Sequence, residues 1–192
     1  MSDVRARLKD KKRIVVKIGS SSLMYADTGL LNIGKVEKLT RILADLRNAG
    51  NDVCLVSSGA ISTGRNSLTT NNNSNTLSFK QACAAIGQAK LIAHYQRFFA
   101  EYSINTAQVL LTEIILADEE SRVNALNTFN ELFKLGAIPV VNENDSISTE
   151  EIKYVHTFGD NDRLSAIVAK LVDADLLVIL SDIDGMYTDD PR

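Results

Sequence analysis

Three polar residues, Asp160, Asn161 and Asp162, stand directly before an apolar pattern near the end of the chain. Apolar residues recur at helical spacing from Leu164 to Leu171, which predicts a helix. The start of a helix exposes backbone N–H groups, and two carboxylates at that point require a polar partner such as a lysine or a metal-bound phosphate. The alternative is that Asp160 or Asp162 only caps the helix. One cap accounts for one residue of three, so we interpret the stretch as part of a site.

A lysine, Lys17, interrupts the apolar run Ile14 to Ile18, which predicts a buried strand. Burying a lysine is costly unless an anionic group meets it. Gly19, Ser20 and the next two serines allow close backbone approach and supply hydroxyl donors, which are groups that bind phosphate oxygens. The spacing is not that of a Walker A loop, because the lysine precedes the glycine. The alternative is a lysine at a strand end whose ammonium group reaches solvent.

Small or polar residues also follow the other apolar runs that predict strands. These pairs are Asp52–Val56 before Ser57-Ser58-Gly59, Ala137–Val141 before Asn142-Glu143-Asn144-Asp145, and Leu176–Leu180 before Ser181-Asp182. Open α/β sheets bind ligands in the crevice outside the carboxyl ends of their strands. We therefore expect these residues to contribute to a ligand site.

Strand and helix patterns alternate along the chain, which predicts an α/β fold with a mostly parallel sheet and helices on both faces. Helices are expected at about 35–49, 79–102 and 124–135, and a further strand at about 105–111. Asn32 is a candidate N-cap of the first helix and Gly50 its C′ residue, whereas Gly136 ends the third. The second helix contains Gly87-Gln88, where a glycine permits close packing.

The composition fits one globular domain spanning 1–192, because 192 residues with 45% hydrophobic content can bury a substantial core. A formal net charge of −3 and the lack of a Lys/Arg run argue against nucleic-acid binding. No apolar run approaches the ~20 residues of a membrane span, and the charged first residues do not resemble a signal peptide. Cys54 and Cys83 are expected to be reduced core residues, so we expect a cytoplasmic protein.

Two segments depart from the alternation. The asparagine-rich segment 69–78 cannot bury enough apolar area to order itself, and we expect a mobile polar loop. The segment 145–158 alternates between apolar and polar residues, which predicts a hairpin that projects from the sheet as a lid over the substrate. His156 within it is interpreted as a solvated loop residue rather than a catalyst.

In series, these segments resemble the amino acid kinase family. The resemblance extends from Arg13 to Arg192, and its motifs are Val16–Ser21, Ser57–Ile61, Val141–Asp145, Phe158–Asp162 and Leu180–Asp182. The motifs at Asn142–Asp145 and Gly159–Asp162 resemble the branch of the family that uses ATP to phosphorylate the γ-carboxylate of L-glutamate in proline biosynthesis. The predicted hairpin is a few residues longer than the family pattern, at 154–157.

The resemblance implies a role for each motif. Lys17 would neutralise the transferring phosphoryl group, Asp162 would orient Lys17, and Mg²⁺ would bridge the ATP phosphates. A carboxylate is already ionised at pH 7, so no general base is required. The implied glutamate contacts are Ser58, Asp145 and Asn161, and the implied ATP contacts are Lys17, Gly19, Ser20, Ser181 and Asp182.

The resemblance also leads us to expect a C-terminal nucleotide-binding portion, with a glycine-rich loop and a second lysine, that is truncated here at Arg192. We therefore expect weak ATP binding and negligible turnover. Proline is a candidate feedback inhibitor, and a homo-oligomer (dimer or tetramer) is expected.

Three alternatives stay open. The chain could be a family member that acts on acetylglutamate, carbamate, aspartate or a nucleoside monophosphate. It could be a non-catalytic fragment that binds glutamate or proline. It could also be the kinase half of a bifunctional protein in which a reductase domain follows.

Overall fold

The computed structural model describes residues 6–68, 74–112, 117–147 and 161–181. The strands are β1 (Arg13–Ile18), β2 (Asp52–Ser57), β3 (Thr106–Leu111), β4 (Ile138–Glu143) and β5 (Leu176–Leu180). The helices are α1 (Ser20–Leu23), α2 (Ile33–Asn48), α3 (Ala60–Asn66), α4 (Leu77–Ala100), α5 (Glu119–Lys134) and α6 (Asp162–Leu171). Each apolar run that predicted a strand forms one.

The five strands form one sheet in the order β3-β4-β2-β1-β5, and every pairing within it is parallel. Ile18 at the end of β1 pairs with Ser57 of β2 and with Leu180 of β5. These three strands therefore end level with one another. The predicted α/β fold with a mostly parallel sheet is confirmed.

Alternation of side chains along the strands separates the core into two layers. On one face, Ile14, Val16 and Ile18 pack with buried residues of α2 and α4. On the other face, Val15 packs with buried residues of α5 and α6. Helices thus cover both faces, as predicted. Lys17 shares its alternation with Val15, which places it on the face of α6.

The predicted helix ends at Asn32, Gly50 and Gly136 are confirmed. The side chain of Asn32 accepts a hydrogen bond from the backbone N–H of Lys35 at 3.0 Å, at the start of α2. Gly50 and Gly136, which follow the ends of α2 and α5, have φ values of +87° and +75°. A residue with a side chain adopts that left-handed conformation only at a cost.

Helix α5 begins at Glu119, earlier than the predicted start near Asn124. Asp118 caps it by accepting a hydrogen bond from the backbone N–H of Ser121 at 2.8 Å. Hydrogen bonds from Ser121 lower the pKa of Asp118. The first turn of α5 is polar and exposed, so it carries no apolar periodicity from which a helix could be predicted.

Two short helices, α1 and α3, occupy segments that were expected only to end strands. Helix α3 crosses α4 at two glycines: a Cβ on Gly64 would overlap the carbonyl oxygen of Cys83, and a Cβ on Gly87 would overlap that of Ala60. The backbones of the two helices therefore touch. The close packing predicted at Gly87 is confirmed.

The two atypical segments lie partly outside the described residues. Of the predicted loop 69–78, residues 69–73 lie outside, and Leu77 and Ser78 already belong to the first turn of α4. Of the predicted lid 145–158, residues 148–158 lie outside, and His156 lies among them.

Both cysteines are free and buried, Cys54 in β2 and Cys83 in α4, as predicted for core residues. Burial raises the pKa of the Cys54 thiol far above its usual value, so the group stays protonated. Among the helices of the described ranges, none combines the length and the apolar character needed to cross a membrane.

Candidate active site at the carboxyl edge of the sheet

Polar residues from four parts of the chain meet where the parallel strands end. Gly19 follows β1, Ser58 follows β2, Asn142 is the penultimate residue of β4, and Asn161 precedes α6. Hydrogen bonds and one ion pair connect residues of these segments directly. The structure therefore assembles most of the predicted site residues at one edge of the sheet.

The ammonium group of Lys17 lies 2.6 Å from Oδ1 of Asp162, the first residue of α6. The Lys17 side chain is 8% exposed and that of Asp162 is 44% exposed. At this distance the two opposite charges are in direct contact. A buried cation is thus held by a carboxylate that itself reaches solvent.

Helix capping does not account for Asn161 or Asp162. Asn161 occupies the N-cap position with φ −111° and ψ 4°, and its side chain caps nothing. Asp162 contacts Lys17 instead of capping the helix. Asp160 lies outside the described residues.

Asn161 connects three elements through its side-chain amide. Its Nδ2 lies 2.8 Å from the Ser57 carbonyl oxygen, 2.7 Å from Ser58 Oγ and 2.8 Å from Asn142 Oδ1. A backbone carbonyl can only accept, so the contact with Ser57 identifies the amide atom facing it as the nitrogen. Asn161 and Ser58, two predicted substrate contacts, are therefore in direct contact, and Asn161 is 3% exposed.

Gln88 of α4 joins this network, a role that the sequence analysis missed. Asn142 Nδ2 donates to Gln88 Oε1 at 2.7 Å, and both side chains are buried. A signal was present in the sequence: Gln88 occupies the same helical stripe as the apolar residues Ala84, Leu91 and Tyr95. A polar residue on a buried stripe requires a hydrogen-bonding partner.

A second contact with α4 supports the end of β2. Ser57 Oγ and Tyr95 Oη lie 2.9 Å apart in the buried core. Burial raises the pKa of the Tyr95 phenol far above its usual value, against a smaller opposing effect of the Ser57 hydrogen bond. The phenol is therefore neutral and fixes the strand end rather than taking part in proton transfer.

A cleft of about 200 Å³ lies between α4 and the ends of β3 and β4. Its lining includes Gln88, Gln108, Glu143, Asn144 and Asp145. Asp145, the third predicted glutamate contact, is half-buried there. The structure thus places Asp145 in a cleft that it shares with Gln88, the residue that holds Asn142.

The predicted nucleotide contacts lie around the ends of β1 and β5. Gly19 is extended and precedes α1, and Ser20 is the exposed first residue of that helix. A Cβ on Gly19 would lie 3.4 Å from Lys17 Nζ, so the backbone passes close to the ammonium group. Ser181 is exposed directly after β5, whereas Asp182 lies outside the described residues.

An α/β sheet with a buried lysine and an acidic helix start at its carboxyl edge is consistent with the predicted kinase class. The model of the amino acid kinase family matches residues 12–192. The chain therefore belongs to the amino acid kinase family.

Three curated relatives named glutamate 5-kinase illustrate the similarity. The chain is 52% identical to that of Clostridium perfringens over 189 residues, which are 98% of this chain and 70% of the relative. It is 53% identical to that of Carboxydothermus hydrogenoformans over 189 residues, 98% of this chain and 50% of the relative. It is 48% identical to that of Enterococcus faecalis over 188 residues, 98% of this chain and 69% of the relative. The chain thus spans between half and 70% of the length of these relatives.

Proposed function

We propose that this chain carries the substrate site and the phosphoryl-binding cation of a glutamate 5-kinase. Such an enzyme transfers the γ-phosphoryl group of ATP to the γ-carboxylate of L-glutamate, the first step of proline biosynthesis. The observation that carries the proposal is Lys17, a buried ammonium group held by Asp162 at the carboxyl edge. Asn161, the neighbour of Asp162, contacts Ser58 there.

The charges of the reaction explain why such a site needs a cation. Both the attacking carboxylate and the transferred phosphoryl group are anionic, and the loose transition state spreads negative charge over the equatorial oxygens. Fixed positive charge and oriented donors lower the energy of that state. In this proposal Lys17 Nζ neutralises the phosphoryl oxygens and Asp162 keeps the ammonium group in place. The carboxylate is ionised at pH 7, so no residue acts as a base.

The polar residues of the edge divide between the two substrates. Ser58 and Asn161 would contact glutamate, and the carboxylate of Asp145 would meet its α-ammonium group. Gly19, Ser20, Ser181 and Asp182 would contact ATP.

Mg²⁺, when bound, would neutralise charge on the ATP phosphates. Among the described residues no cluster of three or more His, Cys, Asp or Glu could hold a metal ion. In kinases such an ion usually takes few ligands from the protein and most from the nucleotide and water.

Calorimetric titration of the chain with L-glutamate and N-acetyl-L-glutamate tests the substrate. We expect L-glutamate to bind and the acetylated compound to bind much more weakly, because an acetylated amine carries no charge to meet Asp145. Asp145→Asn should weaken glutamate binding by about 1–3 kcal/mol, the usual loss when a charged partner is removed. Proline, titrated as a competitor, tests whether the same site takes a feedback ligand.

The matched control is Asp45→Asn, which makes the same change of charge at an exposed position of α2. It should leave the affinity for glutamate unchanged. Unaltered binding by Asp145→Asn would remove Asp145 from the site. Equal affinity for glutamate and N-acetylglutamate would contradict the proposed substrate.

A further inference from the structure

Three side-chain amides are hydrogen-bonded in series, those of Asn161, Asn142 and Gln88. Their donor and acceptor atoms can be arranged in only one way. We call these three residues the amide relay. Asn161 must turn its nitrogen toward the Ser57 carbonyl, because that group only accepts. Asn142 must then turn its oxygen toward Asn161 and its nitrogen toward Gln88. Gln88 must in turn present its oxygen to Asn142. All three residues are at most 8% exposed.

The relay determines how the hydrogens of Asn161 are shared. Its amide nitrogen carries two hydrogens, yet three acceptors lie within 2.8 Å: Ser57 O, Ser58 Oγ and Asn142 Oδ1. While Asn142 takes one hydrogen and Ser57 the other, the hydroxyl of Ser58 need not serve as an acceptor for the protein. If Asn142 turned away, the released hydrogen would pass to Ser58 Oγ. The orientation of the Asn142 amide therefore determines whether Ser58 Oγ is free to accept a hydrogen bond from a ligand.

Gln88 is well placed to hold Asn142, because helix α4, which carries Gln88, packs tightly against the segment that follows the Ser58-Gly59 turn. The neighbouring residue Gly87 contacts the carbonyl oxygen of Ala60 so closely that no Cβ fits between them. Ala60 begins α3, directly after the Ser58-Gly59 turn. Gly59 has φ +98°, and a Cβ there would approach the Met24 side chain to 2.7 Å. Helix α4 and the turn thus form one rigid support from which Gln88 reaches Asn142.

We propose that Gln88 is a positioning residue of the substrate site. It acts through Asn142 to fix the amide of Asn161 and to leave the Ser58 hydroxyl available to the ligand. The identity of that ligand, L-glutamate, rests on the proposed function, whereas the relay rests on the hydrogen bonds alone. A direct contact of Gln88 with the ligand is a different role, since Gln88 Nε2 has no acceptor among the described residues and the side chain lines the cleft.

Two substitutions separate these roles by calorimetry on the 192-residue chain. Gln88→Met removes the acceptor at similar volume and should raise the Kd for L-glutamate about tenfold, which corresponds to ~1.4 kcal/mol. Gln88→Glu keeps an acceptor for Asn142 but loses the amide hydrogens, and its Kd should stay close to that of the parent chain. Gln96→Met is the control, because Gln96 is an exposed glutamine of the same helix that does not line the cleft. It should bind glutamate like the parent chain.

Nuclear magnetic resonance of the side-chain amides tests the relay without any ligand. The Asn161 signals, assigned by their loss in Asn161→Ser, should shift in Gln88→Met and stay near their parent positions in Gln88→Glu and Gln96→Met. Thermal melting of each variant shows that it is folded. A residue that only packs would lower the melting temperature without moving these signals.

Three results would overturn the inference: Gln88→Met binding glutamate like the parent chain, Gln88→Glu losing as much affinity as Gln88→Met, or unshifted Asn161 signals in Gln88→Met. A parent chain that binds no glutamate would contradict the proposed function instead. In that case the amide signals alone decide whether the relay exists.

Discussion

Strand β1 carries two cationic side chains on the same face, and their surroundings differ. Arg13, at the start of the strand, contacts Asp52 with Nε and Nη2 at 3.2 and 3.0 Å and donates from Nη1 to the Val172 carbonyl at 2.7 Å. Its guanidinium group also lies 5.0 Å from the centre of the Phe133 ring. Lys17, at the other end, is more deeply buried and has Asp162 as its acidic contact within the described residues.

The carboxylates at the two ends differ in the same way. At the amino edge, Asp175 accepts hydrogen bonds from the backbone N–H groups of Lys12 and Arg13, both at 2.9 Å, and these bonds lower the pKa of Asp175. At the carboxyl edge, Asp162 forms an ion pair with the ammonium group of Lys17. The comparison teaches that the protein itself satisfies the charges at the amino edge. At the carboxyl edge, the proposed function requires that Lys17 Nζ keep donors for an anionic ligand besides its contact with Asp162.

Substitution of Lys17 and of Arg13 tests most directly whether the two cations have different roles. In a protein extended to the full length of the relatives, Lys17→Ala should lower kcat by about 10²–10³, the usual loss for one group that stabilises transition-state charge. The KM for glutamate should change far less, because the contact strengthens only in the transition state. Steady-state kinetics on the purified variant measures both constants.

Arg13→Ala is the matched control for Lys17→Ala. It should leave kcat and KM unchanged. It should lower the free energy of unfolding by about 1–3 kcal/mol, because Asp52 and the Val172 carbonyl lose their charged hydrogen-bond donor. Denaturant titration measures that loss. A Lys17→Ala variant affected only in KM, or an Arg13→Ala variant with an equal loss of kcat, would remove the distinction between the two ends.

Gly87→Ala tests how rigid the carboxyl edge must be. The new Cβ would overlap the Ala60 backbone, so the substitution should destabilise the protein by about 1–3 kcal/mol. It should also weaken glutamate binding, because α3 must shift and the Ser58-Gly59 turn is attached to it. Thermal melting and calorimetry measure the two effects.

Gly34→Ala is the matched control, because Gly34 is also a helical glycine but has room for a Cβ. A Cβ at Gly34 would meet only Asn32 Oδ1, at an ordinary 3.5 Å. Alanine there should leave the protein as stable or add up to about 1 kcal/mol, because it restricts the unfolded chain. If Gly87→Ala proved as stable as Gly34→Ala, the close packing of α3 on α4 would not support the site.

Much of the fold and part of the site could be predicted from the sequence, because both depend on local patterns. Apolar runs indicated the five strands, and Asn32 indicated the start of α2. Lys17 was expected to need an anion and Asp162 a cation, and the structure brings the two together. The amide relay could not be predicted, because Gln88 lies in a different element from Asn142 and Asn161 and only tertiary packing joins them.

A double-mutant cycle on kcat, in the protein of the relatives' full length, tests the central claim that Asp162 acts through Lys17. Lys17→Ala and Asp162→Ala are measured singly and together, since residues in direct contact show an interaction energy that the cycle isolates. The account predicts that each substitution lowers kcat and that the double variant loses less than the sum of the two free-energy costs. Additive costs would show that Asp162 and Lys17 act independently and would contradict it.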